Sequence, residues 1–320
     1  MAIRTEPNSR PPLFTSRPTS GKKGPFDMTQ TPADTLRNLL GEGGLTVMPC
    51  CYDALSAKMI EQAGFPLTFM SGFAVSAARL GLPDTGLISY GEILDQGRNI
   101  CAATSIPVIG DGDTGYGNAL NVKRTVAGYA RAGFAAVMIE DQLAPKRCGH
   151  TKGKEVVSRS EAVDRIKAAV DARAEGSDIL ILARTDARHG HGLDEALERA
   201  ARFAEQGADI LFVEAPKNEA EMARICQELP GWKMANLVEG GETPMLPPAR
   251  LEALGFSIAA YPLTLLSAAM NALQQTLQAM KSGQQHPDGL LDFSTLREIV
   301  GFDDYYDEER RYGGAREGEI

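Results

Sequence analysis

Along most of this chain a short apolar run of strand length gives way to a helical segment, and the unit repeats eight times. The runs occupy residues 46–49, 67–70, 107–111, 135–140, 179–184, 210–214, 233–236 and 257–260. Helical stretches end at Gly64, Gly133, Gly207 and Gly255, where a left-handed cap favours glycine, and a new apolar run follows each within a few residues. Strand and helix in alternation call for a parallel sheet, because parallel neighbours need a crossover long enough to hold a helix. Eight such units predict a closed (β/α)8 barrel of the TIM type. An open, doubly wound sheet is the competing architecture, but no G-x-G-x-x-G fingerprint follows the first run.

A chain of 320 residues, 43% apolar and 23% charged, suits one barrel-sized domain better than two small ones. The barrel is assigned to residues 29–283 and a C-terminal helical extension to 284–320. Residues 1–28 carry Pro, Ser, Arg and Lys without an apolar core, and read as a disordered leader instead of a secretory signal. A net charge of −9 disfavours nucleic acid and anionic membranes as partners, and no apolar stretch is long enough to span a bilayer. The five cysteines are odd in number and lack paired spacing, which points to a reduced, cytoplasmic compartment.

The active face of such a barrel lies at the C-terminal ends of its strands. Those ends carry Ser71, Asp111, Glu140, Arg184, Glu214 and Asn236. One Asp or Glu closing a strand is ordinarily a cap or a solvated loop residue, but six polar residues closing six strands mark a site. Asp111 and Glu140 on one rim could hold a hard divalent cation, since Mg2+ takes one or two carboxylates and leaves its other positions to water and substrate. Two look-alikes fail. Asp84-Thr85-Gly86 and Asp113-Thr114-Gly115 have the form of aspartic-protease turns, which belong to paired β lobes, and a calcium loop starting at Asp111 would need a glutamate where Val122 stands.

The segments Ser71 to Ala77, Leu80 to Asp84, Asp111 to Gly117, Ile139 to Gln142, Lys146-Arg147-Cys148-Gly149-His150, Ala183 to Asp186 and Val213 to Ala215 resemble the isocitrate lyase and phosphoenolpyruvate mutase superfamily. The similarity runs from about Asp34 to about Lys281. Asn236 to Pro244 and Tyr261 to Thr264 are similar in particular to the branch holding 2,3-dimethylmalate lyase, the petal death protein and carboxyphosphonoenolpyruvate mutase. This resemblance implies a Mg2+-dependent barrel, with Mn2+ as a substitute, assembled as a homotetramer whose last helices are exchanged between subunits.

It also implies roles. Asp111 and Asp113 would hold the metal directly or through water, with Asp84 and Glu140 reaching its waters. Ser71, Gly72 and the Cys148-Gly149 backbone would hold an oxoacid carboxylate, with Phe73, His150 and Thr264 also facing substrate. Arg184 would meet developing negative charge, and Glu214 and Asn236 would wall the second product. Cys148 would act as the acid, its pKa brought toward neutrality by Lys146, Arg147 and His150, on a loop that Gly149 and Gly153 allow to open and close.

Two departures narrow the expectation. Methylisocitrate lyases carry an arginine after the eighth strand for a third carboxylate, and the matching position here is Ser267. A tyrosine that many of these lyases place beside the Ser-Gly turn is replaced by Phe69 and Phe73, leaving Tyr52 as one candidate base. The leading expectation is cleavage of a substituted malate, such as 2,3-dimethylmalate, to an α-keto acid and a monocarboxylate. The alternatives are oxaloacetate decarboxylation or hydrolysis, methylisocitrate cleavage, a carboxyphosphonoenolpyruvate mutase and a non-catalytic binding barrel.

Overall fold

A computed structural model describes residues 30–147, 153–284 and 287–312. Eight strands, β1 (Thr46–Cys51), β2 (Thr68–Met70), β3 (Val108–Asp111), β4 (Ala136–Glu140), β5 (Leu180–Thr185), β6 (Ile210–Val213), β7 (Trp232–Asn236) and β8 (Ile258–Tyr261), close into one parallel barrel in sequence order. The ring is sealed by β1 against β8, Thr46 pairing with Ile258. Every residue of β4 and β5 is buried, as expected where helices cover one face and the barrel interior the other. All four predicted glycines take positive φ, from 85° at Gly64 to 102° at Gly255.

Side chains alternate across each strand. Ile109, Met138, Leu182, Phe212 and Met234 sit in the buried core cluster, each two residues before a polar residue at a strand's C-terminal end: Asp111, Glu140, Arg184, Glu214 and Asn236 respectively. An inward apolar layer therefore lies directly beneath the polar rim. Boundaries shift by a residue or two from the sequence reading: β1, β5 and β8 run further, and β6 stops at Val213, leaving Glu214 just past the strand.

Residues up to Leu263 form one compact unit and those from Thr264 another. The division falls before the helix Thr264–Lys281, earlier than the 283/284 boundary read from sequence; Leu266 is that helix's one buried residue, so it adds little to a core. This second unit also holds the helices Phe293–Val300 and Phe302–Tyr312, and it exposes Leu273, Leu277, Phe293 and Tyr305. Among the described residues no helix is long and apolar enough to cross a membrane.

The wall behind β3 is tight. A Cβ on Gly110 would come 2.6 Å from Tyr129 Cε1 and 2.8 Å from Phe134 Cε1, two rings stacked at 4.7 Å. Overpacking of this kind typically costs ~1–3 kcal/mol, so Gly110→Ala is expected to lower the urea midpoint accordingly. An unchanged midpoint would mean that the wall yields freely.

Candidate active site

A cavity opens at the C-terminal mouth of the barrel. Its polar lining includes Ser71, Asp84, Asp111, Glu140, Lys146, Arg184, Glu214 and Asn236; its apolar floor includes Phe69, Met138, Phe212 and Met234. The structure thus gathers the six strand-end residues of the sequence reading, together with Asp84 and Phe73, around one space.

The turn after β3 is built around Asp111. Its Oδ1 accepts from Asp113 N at 3.0 Å, its Oδ2 accepts from Gly72 N at 3.1 Å, and its backbone carbonyl accepts from Tyr129 Oη at 2.6 Å. Asp113 takes φ +47°, and its carbonyl accepts from Glu140 N at 2.9 Å, which ties the turn to the end of β4. A Cβ on Gly72 would lie 2.5 Å from Asp111 Oδ2, so glycine is required for this approach. The Gly72 N–H expected to serve a substrate carboxylate is here directed at Asp111. Ser71 caps the next helix, its hydroxyl accepting from Ala74 N.

Arg184 is held from three sides. It is bidentate to Asp186 through Nε at 2.8 Å and Nη2 at 3.0 Å, with Glu140 Oε2 at 3.3 Å and Glu214 Oε2 at 3.1 Å. Phe212 lies under the guanidinium at 5.2 Å. Asn236 Nδ2 donates to Glu214 Oε2 at 3.2 Å. Asp186 in turn receives Lys154 Nζ at 3.4 Å, and its backbone N donates to Asp141, a carboxylate already paired with Arg199. Asp186 has no role assigned by the sequence motif that contains it, and its position two residues past the strand-end Arg184 is the one signal of this pairing.

Asp84 and Asp113 share a cation of their own. Lys146 Nζ donates to Asp84 Oδ2 at 2.7 Å and stands 2.6 Å from Asp84 Oδ1 and 2.8 Å from Asp113 Oδ1. Among the described residues, six buried carboxylates (Asp84, Asp111, Asp113, Glu140, Asp186, Glu214) therefore meet three buried cations (Lys146, Lys154, Arg184). Burial shows in the titration of three of these acids. Burial, reinforced by the charge of Asp113, lifts Asp111 to about 6. Burial also raises Glu140 and Asp84, against the pull of Arg184 on the first and of Lys146 on the second. Burial alone would lower Lys146, but Asp113 and Asp84 hold it above its usual range.

These residues fit a divalent cation. The donors are hard carboxylate oxygens, and Glu140 Oε1 is buried without a hydrogen-bond partner among the described residues. No three His, Cys, Asp or Glu side chains among the described residues already form a metal cluster; the Lys146 ammonium bridges two of the candidates instead.

Cys148, Gly149 and His150 lie outside the described residues. Thr264 opens the helix Thr264–Lys281 in the second unit. Tyr52 follows β1 outside the cavity lining, and its phenol is pushed up by burial and by Asp53, which disfavours it as a base. Cys50 does line the cavity, yet burial raises its thiol well above the ordinary range and leaves it a poor proton donor.

Residues 36–281 match the family model for phosphoenolpyruvate phosphomutase. The chain is 44% identical over 287 residues to 2,3-dimethylmalate lyase of Eubacterium barkeri, across 89% of this chain and 99% of that protein. Its fold matches oxaloacetate acetylhydrolase in complex with 3,3-difluorooxalacetate at a TM-score of 0.85 and 35% identity, covering 89% of this chain and 98% of that one. Phosphonopyruvate hydrolase in complex with oxalate and Mg2+ matches at 0.78 and 32%, covering 88% and 99%. The chain belongs to the phosphoenolpyruvate mutase family, and it is an enzyme of that superfamily's carbon–carbon lyase kind.

Two outcomes follow from the geometry. With Asp111 lifted to about 6, a proton competes for the carboxylate below that pH. Mg2+ affinity by calorimetry is therefore expected to fall about tenfold per pH unit below pH ~6, and a flat profile from about pH 7 to 5 would contradict it. The sign for stability is opposite: a raised carboxylate pKa costs folding energy above pH ~6, a cost that shrinks as pH falls toward ~4. Gly72→Ala, by displacing Asp111, is expected to weaken Mg2+ binding by about tenfold with little change in melting temperature. Unaltered affinity would remove Asp111 from the metal set.

Proposed function

We propose that the chain is a Mg2+-dependent lyase that cleaves a 2-hydroxy dicarboxylate of the substituted-malate type, such as 2,3-dimethylmalate, to an α-keto acid and a monocarboxylate. The observation that carries this reading is the pairing of a carboxylate-rich rim with an apolar floor of Phe69, Met138, Phe212 and Met234. The rim suits a chelating oxoacid end brought in with a cation, and the floor suits alkyl substituents. Ser267 in place of an arginine favours two carboxylates over three. The identity to 2,3-dimethylmalate lyase supports the same choice.

Asp111 and Asp113, with Asp84 and Glu140 about them, would hold the metal. Bound there, Mg2+, or Mn2+ in its stead, would supply the Lewis acidity that lowers the cost of an alkoxide at the 2-oxygen. Arg184, fixed by Asp186, Glu140 and Glu214, meets negative charge that grows on an oxygen as the bond breaks. The 2-hydroxyl proton leaves to a rim carboxylate, the C2–C3 electron pair passes to C3 and its carboxylate, and C2 becomes the ketone carbon. Cys148 then delivers its proton to C3, assisted by Lys146, Arg147 and His150. Ser71, Gly72 and the Cys148-Gly149 backbone would hold the oxoacid carboxylate, with Phe73 and His150 also facing substrate, and Glu214 and Asn236 would wall the departing acid.

The second compact unit is proposed to pack against, and exchange helices with, a second copy in a homo-oligomer; its exposed Leu273, Leu277, Phe293 and Tyr305 form the kind of apolar surface that such an exchange covers. A cytoplasmic location fits the four described cysteines, none of them in a disulfide. The likeness to oxaloacetate acetylhydrolase supports oxaloacetate hydrolysis in the same site as a second reading.

Purified protein with Mg2+ and a panel of substituted malates, methylisocitrate and oxaloacetate, its products identified by mass spectrometry, separates these readings. The expected best substrate by kcat/KM is a substituted malate; oxaloacetate or methylisocitrate in that place would displace the assignment. Cys148→Ser is expected to cut malate cleavage by at least ~100-fold, the low end for losing a general acid, and full activity would show that the thiol is not the acid.

A further inference from the structure

Lys146 stands where two of the proposed metal-holding carboxylates converge. Its side chain is only 6% exposed, and its Nζ reaches Asp84 and Asp113 at 2.6 to 2.8 Å. Asp84 Oδ1 and Asp113 Oδ1 are buried, and the ammonium is the cation that both of them meet. Two features make this seat temporary. The turn that carries Lys146 is held by other groups: Gln142 accepts from Arg147 N and donates to Arg147 O, both at 2.9 Å, and Leu143 N donates to Glu155 O at 2.8 Å. The flexible stem can therefore swing without dismantling the turn, and the ammonium is readily rehydrated. The free space in the cavity, about 60 Å³, is also well below the ~150 Å³ that admits a molecule the size of benzene. A metal ion and an anionic ligand need room that the seated ammonium takes.

We propose that Lys146 is the resident counter-ion of the Asp84 and Asp113 pair, and that a divalent cation expels its ammonium on binding, so that metal must enter before the anionic substrate. A monovalent ammonium and a divalent ion cannot both occupy a seat between the same two carboxylates, because their repulsion at such range in a buried site outweighs what either gains from sharing. The exchange of a singly for a doubly charged cation makes the rim less negative and frees an ammonium for an anionic ligand. The inference rests on the carboxylates holding a divalent cation and is independent of which substrate is cleaved.

The direct test uses the unmodified protein. Lysine acetylation by an N-hydroxysuccinimide ester, followed by peptide mass spectrometry, is run in chelator and in saturating Mg2+. Lys146 is expected to label at least about tenfold faster with Mg2+, while exposed Lys217 labels equally in both, as a change in protection confined to one site requires. Unchanged or slower labelling of Lys146 overturns the proposal. In a second measurement Lys146→Met is expected to bind Mn2+ about tenfold more tightly than the unmodified protein, and Arg147→Met to differ by less than about threefold. Equal or weaker binding by Lys146→Met, or an equal gain in Arg147→Met, also overturns it. The absence of any Mg2+ or Mn2+ binding by the unmodified protein would sink the metal reading itself; metal binding with unaltered labelling would sink this inference alone.

Discussion

Like-charge repulsion among buried carboxylates at the mouth of the barrel is the interaction on which the rest of this site depends. Among the described residues six buried acids share three buried cations. An ionised carboxylate removed from water is expensive unless paired, so such a rim must take up protons, borrow a cation from the chain or bind a metal. Burial and the neighbouring Asp113 bring Asp111 toward the first response, lifting it to about 6, and the second is visible in Lys146. The same imbalance would repel a dicarboxylate. Substrate recognition by this rim is thus conditional on a cation of higher charge, which links the metal and the anionic substrate in one electrostatic requirement.

The fold delivers this concentration of charge through strand periodicity. Five of the polar strand-end residues sit two positions beyond an inward-facing apolar residue, so the barrel that buries Ile109, Met138, Leu182, Phe212 and Met234 also aims Asp111, Glu140, Arg184, Glu214 and Asn236 at one space. Precision is added locally. Gly72 lets a backbone N–H reach Asp111, Asp113 adopts a positive φ to turn its own N–H back on the same carboxylate, and Tyr129 fixes the carbonyl behind it. Asp186 orients Arg184 through two hydrogen bonds, holding a planar cation where three acids meet.

The barrel was legible in the sequence because its signals are local: apolar runs of strand length, glycines that end helices, and a polar residue closing each run. The rim residues were legible for the same reason. The partnerships among them were not. Lys146 and Asp84 are 62 positions apart, and nothing in either segment encodes their meeting; read from sequence, Lys146 was only a neighbour of the thiol. Asp186 was hidden differently, since two residues past a strand-end arginine it could equally have been a helix cap. The helix Thr264–Lys281 continues the βα pattern in sequence while burying only Leu266, so its place in the second compact unit has no local signal.

The central claim is that this charge excess is a seat for a divalent cation. Crystals of the protein soaked in Mn2+, with diffraction recorded near the manganese absorption edge, address it directly. The account predicts one strong anomalous peak at the mouth of the barrel within bonding distance of Asp111 or Asp113, beside Asp84 and Glu140. A fully occupied peak elsewhere, or an ordered rim with no peak at saturating Mn2+, would contradict it.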